Sequence, residues 1–268
     1  MKCIVIFTIL TSAIYLLNDV IDIPRDKLHP IKKNRPIAQG KLPISTAIFL
    51  FFIGTFASLY FAYLINFFFF LACFAYLILQ LSYSFILKKI VLIDILTIAG
   101  GFILRVYAGA LAINVHMNVW FLLCVISMAL FLAAGKRRTE LIILEQKAAR
   151  HRKTLSFYSS VLLDSYLSIF ANSAWMSYAL YTFFAPPPPI RQRIPFLTDL
   201  PLTFAGINKW LMITIPVVIF GIMRYLKIIH EGTRAESPEK VLLGDKTLLA
   251  TVGVWIFLVV VIMYGAIP

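Results

Sequence analysis

Hydrophobic residues run in long blocks along this chain, separated by short polar segments. A helix needs about 20 apolar residues to cross the hydrocarbon core of a bilayer. Eight blocks reach this length or fall slightly short of it: residues 2–17, 42–64, 67–87, 91–113, 119–134, 157–184, 207–229 and 247–266. The pattern predicts an all-α, polytopic membrane helix bundle with about eight transmembrane helices, forming a single domain over residues 1–268.

The composition supports the membrane class. Hydrophobic residues make up 61% of the chain, charged residues make up 14%, and the mean hydropathy is +0.89. A soluble domain of this length needs more polar surface, so a soluble globular protein is excluded. Most of the 25 lysine and arginine residues fall in alternate loops, which places those loops in the cytoplasm. The net charge of +13 therefore mainly records membrane topology, together with any anionic ligand that these loops share, and no nucleic-acid partner is expected.

The beginning of the chain is unusual for this topology. The count of blocks places the N terminus on the non-cytoplasmic side, and the first block is short, with Lys2 at its outer end. We therefore expect that a helix preceding Met1 is missing from this chain; a plain eight-helix protein is the alternative.

Three aspartates follow the first apolar block. Asp19, Asp22 and Asp26 are spaced by three and four residues, which places them on one face of a helix. Three carboxylates on one face repel one another unless a cation lies between them, and Mg²⁺ takes oxygen ligands and is often shared with substrate phosphates. We therefore predict that these aspartates hold Mg²⁺ and act in catalysis, with Asn18 as a further polar contact. A solvated loop of mixed charge beside the membrane is the alternative.

Basic residues begin beside the last aspartate and continue after it. They are Arg25, Lys27, Lys32, Lys33 and Arg35. Arginine in particular suits bidentate binding of phosphate. An acidic cluster next to a basic cluster predicts a site for a metal-chelated diphosphate.

Two segments connect the chain with a known family. The segment NDVIDIPRD, residues 18–26, resembles the first aspartate-rich motif of the UbiA superfamily of intramembrane prenyltransferases. The segment YSFILK, residues 83–88, is similar to the tyrosine–lysine motif of that superfamily, with one residue more than usual between Tyr83 and Lys88. The resemblance covers nearly the whole chain and implies the superfamily's helix bundle without its first helix.

A third segment separates the branches of this superfamily. Aromatic prenyltransferases carry a second aspartate-rich motif where this chain has GKRRTE, residues 135–140, which contains cations in place of the aspartate pair. The chain is instead similar to the decaprenyl-phosphate phosphoribosyltransferase branch. The segments DKLHPIKKNRPIAQG, GFILRVYAGA and ESPEKVLLGDKTLL share that similarity.

The resemblance implies a transferase that moves the 5-phosphoribosyl group of phosphoribosyl pyrophosphate onto a polyprenyl phosphate, releasing pyrophosphate, in the biosynthesis of a cell-wall precursor. It implies an active site at the cytoplasmic face of the bacterial inner membrane, with the state of oligomerisation left open. The residues expected to contact substrate are Lys32, Lys33, Arg35, Lys88, Lys136 and Arg137 at phosphates, Glu140 or Asp94 at ribose hydroxyls, and Tyr83 of the tyrosine–lysine motif.

Two other functions stay open at this point. An aromatic prenyltransferase of quinone or haem biosynthesis would use the same aspartates on a prenyl diphosphate. A transporter of an anionic metabolite is the non-enzymatic alternative, although a row of acidic residues is a poor lining for an anion path and no internal repeat is evident.

Overall fold

The computed structural model describes residues 2–28, 31–144, 157–185, 209–231 and 238–264. These residues form helices and connecting turns, and no β-strand occurs among them. The α-helices are α1 Lys2–Asp26, α2 Ile44–Ile65, α3 Phe67–Phe85, α4 Ile93–Ala112, α5 Val119–Leu144, α6 Ser160–Phe184, α7 Ile215–His230, α8 Pro238–Gly244 and α9 Lys246–Tyr264. The predicted all-α fold is confirmed, because each of the predicted apolar blocks overlaps one of these helices.

The helices have the lengths and compositions expected for membrane spans. Within the described part of the chain, seven helical segments are long and apolar enough to cross a bilayer. The Ser160–Phe184 helix is not among them, so the predicted number of about eight spans is approximate. Large apolar side chains such as Phe49, Phe56 and Phe67 are exposed on the helix surfaces, as expected where lipid is the solvent.

The chain divides into two compact units, each of which is described here by itself. The first contains Met1–Met117 together with Leu144–Ser159, and the second contains Asn118–Ile143 together with Ser160–Pro268. This division does not test the prediction of a single domain.

The core of the first unit is formed where α1, α2, α3 and α4 pack together. Leu10, Phe51, Phe69, Cys73 and Tyr76 are among its buried residues. In the second unit, residues of all five helices from α5 to α9 form the core, and Phe131, Leu167 and Ile229 are among its buried side chains.

Helix α1 is longer than the apolar block that predicted it. The block ends at residue 17, whereas the helix continues to Asp26 and includes Pro24. Its 25 residues span about 37 Å at helical rise, which exceeds a hydrocarbon core of about 30 Å. The polar last turns can therefore extend past the apolar region while remaining helical, and these turns carry the three aspartates.

Candidate active site

The aspartates predicted to bind metal lie along the last two turns of α1. Asp19 and Asp22 are half-buried and Asp26 is buried, so all three are partly withdrawn from solvent. Their placement on a helix confirms the helical face that the spacing predicted. Their charges require nearby cations, because an uncompensated carboxylate is costly to bury.

Arg35 supplies one of these cations. Its Nη1 atom lies 2.5 Å from Asp19 Oδ1 and 2.9 Å from Asp26 Oδ2. The chain reverses after α1 through a 3₁₀ turn at Lys32–Asn34, and Arg35 follows it in an extended conformation. This reversal brings the guanidinium back to the helix, so that one arginine joins the first and last carboxylates of the row.

Lys88 supplies the second cation, from a distant part of the sequence. It lies on the 3₁₀ turn Leu87–Lys89 that follows α3, and only 2% of its surface is exposed. Its Nζ donates to Asp22 Oδ1 at 2.7 Å, while Arg25 is 3.5 Å from the same oxygen. The predicted aspartate motif and tyrosine–lysine motif therefore meet in the first unit.

A hydroxyl that the sequence analysis missed joins the same two segments. Ser84, buried near the end of α3, donates from its Oγ to Asn18 Oδ1 at 3.1 Å. Tyr83 precedes it and is half-buried, while Lys33 is exposed and Lys32 half-buried on the turn before Arg35. The only clue to Ser84 in the sequence was its position inside the tyrosine–lysine motif.

The aspartate cluster has the donor atoms of a magnesium site. Three carboxylates provide the oxygen ligands that Mg²⁺ takes in proteins, so the chemistry of Asp19, Asp22 and Asp26 fits that ion. In the part of the chain that the structure describes, however, no three acidic, histidine or cysteine side chains are grouped closely enough to hold a metal ion. The aspartates bind Arg35 and Lys88 in the arrangement seen here.

Asp94 has a different environment from the one expected of a substrate ligand. It lies in the first turn of α4 and is fully buried, with 0% of its surface exposed. Its Oδ1 accepts from the Tyr158 hydroxyl at 2.7 Å and from the Ile95 backbone N–H at 2.9 Å. The ribose contact that the resemblance suggests for Asp94 stays a prediction.

The remaining predicted site residues lie on α5 of the second unit. Lys136 is half-buried, and Arg137 is fully buried and forms an ion pair with Glu140. One helical turn separates Arg137 from Glu140, so this pair follows from their spacing. Their predicted contacts with substrate phosphates and ribose stay predictions.

Asp164, on α6, is a further charged residue of the second unit, and it contacts basic residues of two other helices. It accepts from Arg138 Nε at 2.7 Å and from Arg138 Nη2 at 3.2 Å, which is a bidentate pair. His230 Nε2 is 3.3 Å from Asp164 Oδ1. This cluster joins the polar ends of α5, α6 and α7.

Comparison with known proteins identifies the family. A family profile described as the UbiA prenyltransferase family matches residues 2–243, which is most of the chain. This chain belongs to the UbiA prenyltransferase family. The family that the motifs predicted is therefore confirmed, and with its membrane-length helices the chain is an integral multi-pass membrane protein.

Several curated members of the UbiA family are similar over nearly the full chain. The decaprenyl-phosphate phosphoribosyltransferase of Corynebacterium glutamicum is 33% identical over 97% of this chain and 74% of its own length. The enzymes of the same name are 33% identical in Mycolicibacterium smegmatis and 30% identical in Mycobacterium tuberculosis, each over 94% of this chain. The matched regions are 76% and 77% of the lengths of those two relatives. These relatives confirm the predicted similarity to the phosphoribosyltransferase branch.

Solved structures of the UbiA family share the fold. A UbiA homologue from Archaeoglobus fulgidus, bound to GPP and Mg²⁺, aligns with a TM-score of 0.68 over 98% of this chain and 88% of that protein. The same homologue bound to DMAPP and Mg²⁺ aligns with a TM-score of 0.66. Both are 17% identical to this chain, so they establish the shared fold alone.

Proposed function

We propose that this UbiA-family protein is a membrane transferase that moves the 5-phosphoribosyl group of phosphoribosyl pyrophosphate onto a polyprenyl phosphate of the decaprenyl type. The observation that carries the proposal is the identity of 33% over 97% of the chain with an enzyme named for this activity. The site supports it, because the structure joins the row of aspartates with Arg35 and Lys88 at one end of the first unit. Such a mixed cluster suits a metal-chelated diphosphate.

In this proposal the aspartates form the metal-binding side of the site. Asp19, Asp22 and Asp26 would hold Mg²⁺, which would neutralise charge on the departing pyrophosphate. Arg35 and Lys88 lie against these carboxylates and, in this proposal, would bind diphosphate oxygens. Lys32 and Lys33 lie one turn away along the chain, and Asn18 adds an amide at the start of the row.

The reaction itself requires little acid–base chemistry. A phosphate oxygen of the lipid attacks the anomeric carbon of the ribose, the bond from that carbon to the pyrophosphate oxygen breaks, and pyrophosphate leaves. The attacking oxygen is already anionic, so no strong general base is needed, and catalysis depends on positioning and charge neutralisation. Lys136 and Arg137 are proposed at phosphates and Glu140 at the ribose hydroxyls, while the burial of Asp94 supports a structural role for that residue.

The same proposal includes the location of the site. The basic loops at residues 25–41, 88–89 and 136–153 support a cytoplasmic active site in a bacterial inner membrane. A role in the biosynthesis of a cell-wall precursor belongs to this proposal as well.

The experiment compares two substrate pairs with purified protein in detergent. Labelled phosphoribosyl pyrophosphate with polyprenyl phosphate and Mg²⁺ should yield labelled lipid, whereas a prenyl diphosphate with 4-hydroxybenzoate should yield no product. Product from the second pair alone would replace the proposal with an aromatic prenyltransferase. Product from neither pair, while phosphoribosyl pyrophosphate crosses protein-containing liposomes without Mg²⁺, would favour the transporter.

The aspartates provide the matched variants. Asp19→Asn and Asp22→Asn remove charge with little change of volume, so each should lower kcat at least ~100-fold, as expected when a group that stabilises transition-state charge is lost. Glu231→Gln, a change at an exposed acid in the second unit, serves as the control and should keep normal turnover. Normal turnover in both aspartate variants would contradict the metal assignment.

Lys136→Ala should raise the KM for phosphoribosyl pyrophosphate more than that for lipid.

A further inference from the structure

A tyrosine outside the known motifs contacts the segment that carries Lys88. Tyr158 belongs to the first unit through the Leu144–Ser159 segment, and its side chain is almost fully buried, with 3% of its surface exposed. Its hydroxyl accepts from the Leu92 backbone N–H at 2.7 Å and donates to Asp94 Oδ1 at 2.7 Å. One hydroxyl therefore serves both as acceptor and as donor at the start of α4.

The backbone at this contact is strained. Leu92 has φ 68° and ψ −44°, a positive-φ conformation that a leucine rarely adopts. Residues held in such conformations persist only where surrounding contacts fix them. The hydrogen bond from the Leu92 N–H to Tyr158 is such a contact, and the buried Asp94 fixes the hydroxyl that accepts it.

The strained residue lies three residues after the turn that carries Lys88. The turn Leu87–Lys89 is followed by Ile90, and α4 begins just after Leu92. The path from the Tyr158 hydroxyl to the Lys88 amine therefore crosses only a few residues of backbone. At the other end of this path, Lys88 Nζ donates to Asp22 Oδ1 at 2.7 Å.

We propose that Tyr158 is a positioning residue, which acts through Leu92 and Asp94 to hold the Leu87–Leu92 segment so that the Lys88 amine stays on Asp22. This inference rests on the proposed function in one respect, namely that the proposed function makes Asp22 a metal ligand. It also gives Asp94 a defined task, which is to orient the Tyr158 hydroxyl toward the Leu92 N–H. Tyr158 touches no reacting group in this scheme and acts through Lys88.

The first test measures the accessibility of Lys88 and uses no substrate. Purified wild-type and Tyr158→Phe proteins are treated with an amine-acylating reagent, and labelling of Lys88 is measured by mass spectrometry against that of its exposed neighbour Lys89. Removing the hydroxyl leaves the Leu92 N–H and Asp94 without this partner, which should raise the labelling ratio about fivefold, the factor corresponding to one hydrogen bond of typical strength. An unchanged ratio would overturn the proposal.

Two controls separate local positioning from general loosening. Tyr76→Phe removes another buried tyrosine hydroxyl of the same unit, one that accepts from Arg105 at 3.2 Å, and should leave the Lys88 ratio unchanged. The thiol of Cys73, which is fully buried in the core of this unit, reports general opening through its reaction with a maleimide. If Cys73 labelling rises in Tyr158→Phe as much as Lys88 labelling does, the hydroxyl stabilises the whole unit and the positioning role is wrong.

The second test measures the consequence for transfer. Tyr158→Phe should raise the KM for phosphoribosyl pyrophosphate about tenfold and change kcat by less than about twofold. Partial unfolding would instead lower kcat at an unchanged KM, and that result would refute the positioning role. Because the labelling test needs no substrate, it keeps its meaning even where transfer from phosphoribosyl pyrophosphate is not observed. The two proposals can therefore fail separately.

Discussion

The ion pair between Lys88 and Asp22 gives the sharpest quantitative prediction. Lys88 is 2% exposed, and the Asp22 side chain is 15% exposed, so most of this contact is removed from solvent. Lys88→Met keeps the apolar stem and removes the ammonium, which leaves Asp22 with Arg25 at 3.5 Å. Breaking one side of a buried pair costs about 3 kcal/mol, and the residual exposure of Asp22 places the expected loss at ~2–3 kcal/mol of unfolding free energy.

A double-mutant cycle isolates the pair from the loss of packing. Lys88→Met, Asp22→Asn and the double variant are unfolded by titration with a denaturing detergent, and Cys73 labelling serves as the readout. The double variant should be more stable than the sum of the single losses predicts, with a coupling energy of about 1.5–3 kcal/mol, as for hydrogen bonds to charged groups.

The second unit contains a matched control for this cycle. Lys227 and Glu231 are 3.5 Å apart and more than half exposed, and they are spaced by four residues at the end of α7. Exposed pairs of this kind couple by about 0.3–0.5 kcal/mol. If the Lys88–Asp22 coupling were no larger than that of Lys227–Glu231, the argument that burial strengthens this pair would be refuted.

Two further predictions concern the helix packing of each unit. Asp245 accepts from Arg224 Nη2 at 2.6 Å and from the Leu248 backbone N–H at 2.7 Å, and these bonds lower the pKa of its carboxyl from 3.8. The stabilising contribution of the Asp245 carboxylate is therefore present above pH 3.8 and is lost as the pH falls through the lowered pKa. Asp245→Asn should therefore flatten the acid side of the plot of unfolding free energy against pH. A plot identical to that of the wild type would contradict this. Separately, a Cβ at Gly54 would lie 3.0 Å from Ala13 Cβ, so Gly54→Ala should cost about 1–3 kcal/mol in the same detergent titration, whereas Gly109→Ala, with no neighbour within 4 Å, should cost less than ~0.5 kcal/mol.

The sequence by itself determined the features that depend on neighbours along the chain. Apolar blocks of spanning length fixed the helices, because a polypeptide in lipid must satisfy its backbone hydrogen bonds within each segment. The spacing of Asp19, Asp22 and Asp26 fixed their common face, since the helical period is local. The same locality makes Arg137 and Glu140 partners, as the structure shows.

Only the tertiary structure decided which distant groups neutralise the aspartates. Arg35 bridges Asp19 and Asp26, and Lys88 reaches Asp22 across 66 residues of sequence. The sequence shows that a basic residue such as Lys88 will attract anions. The packing of α1 against α3 decides that the anion it contacts is the Asp22 carboxylate. The same holds for Asp94, whose carboxylate could serve as a ligand by its chemistry alone. In the structure this carboxylate is buried and accepts a hydrogen bond from Tyr158, 64 residues away, because burial and pairing depend on how the helices pack.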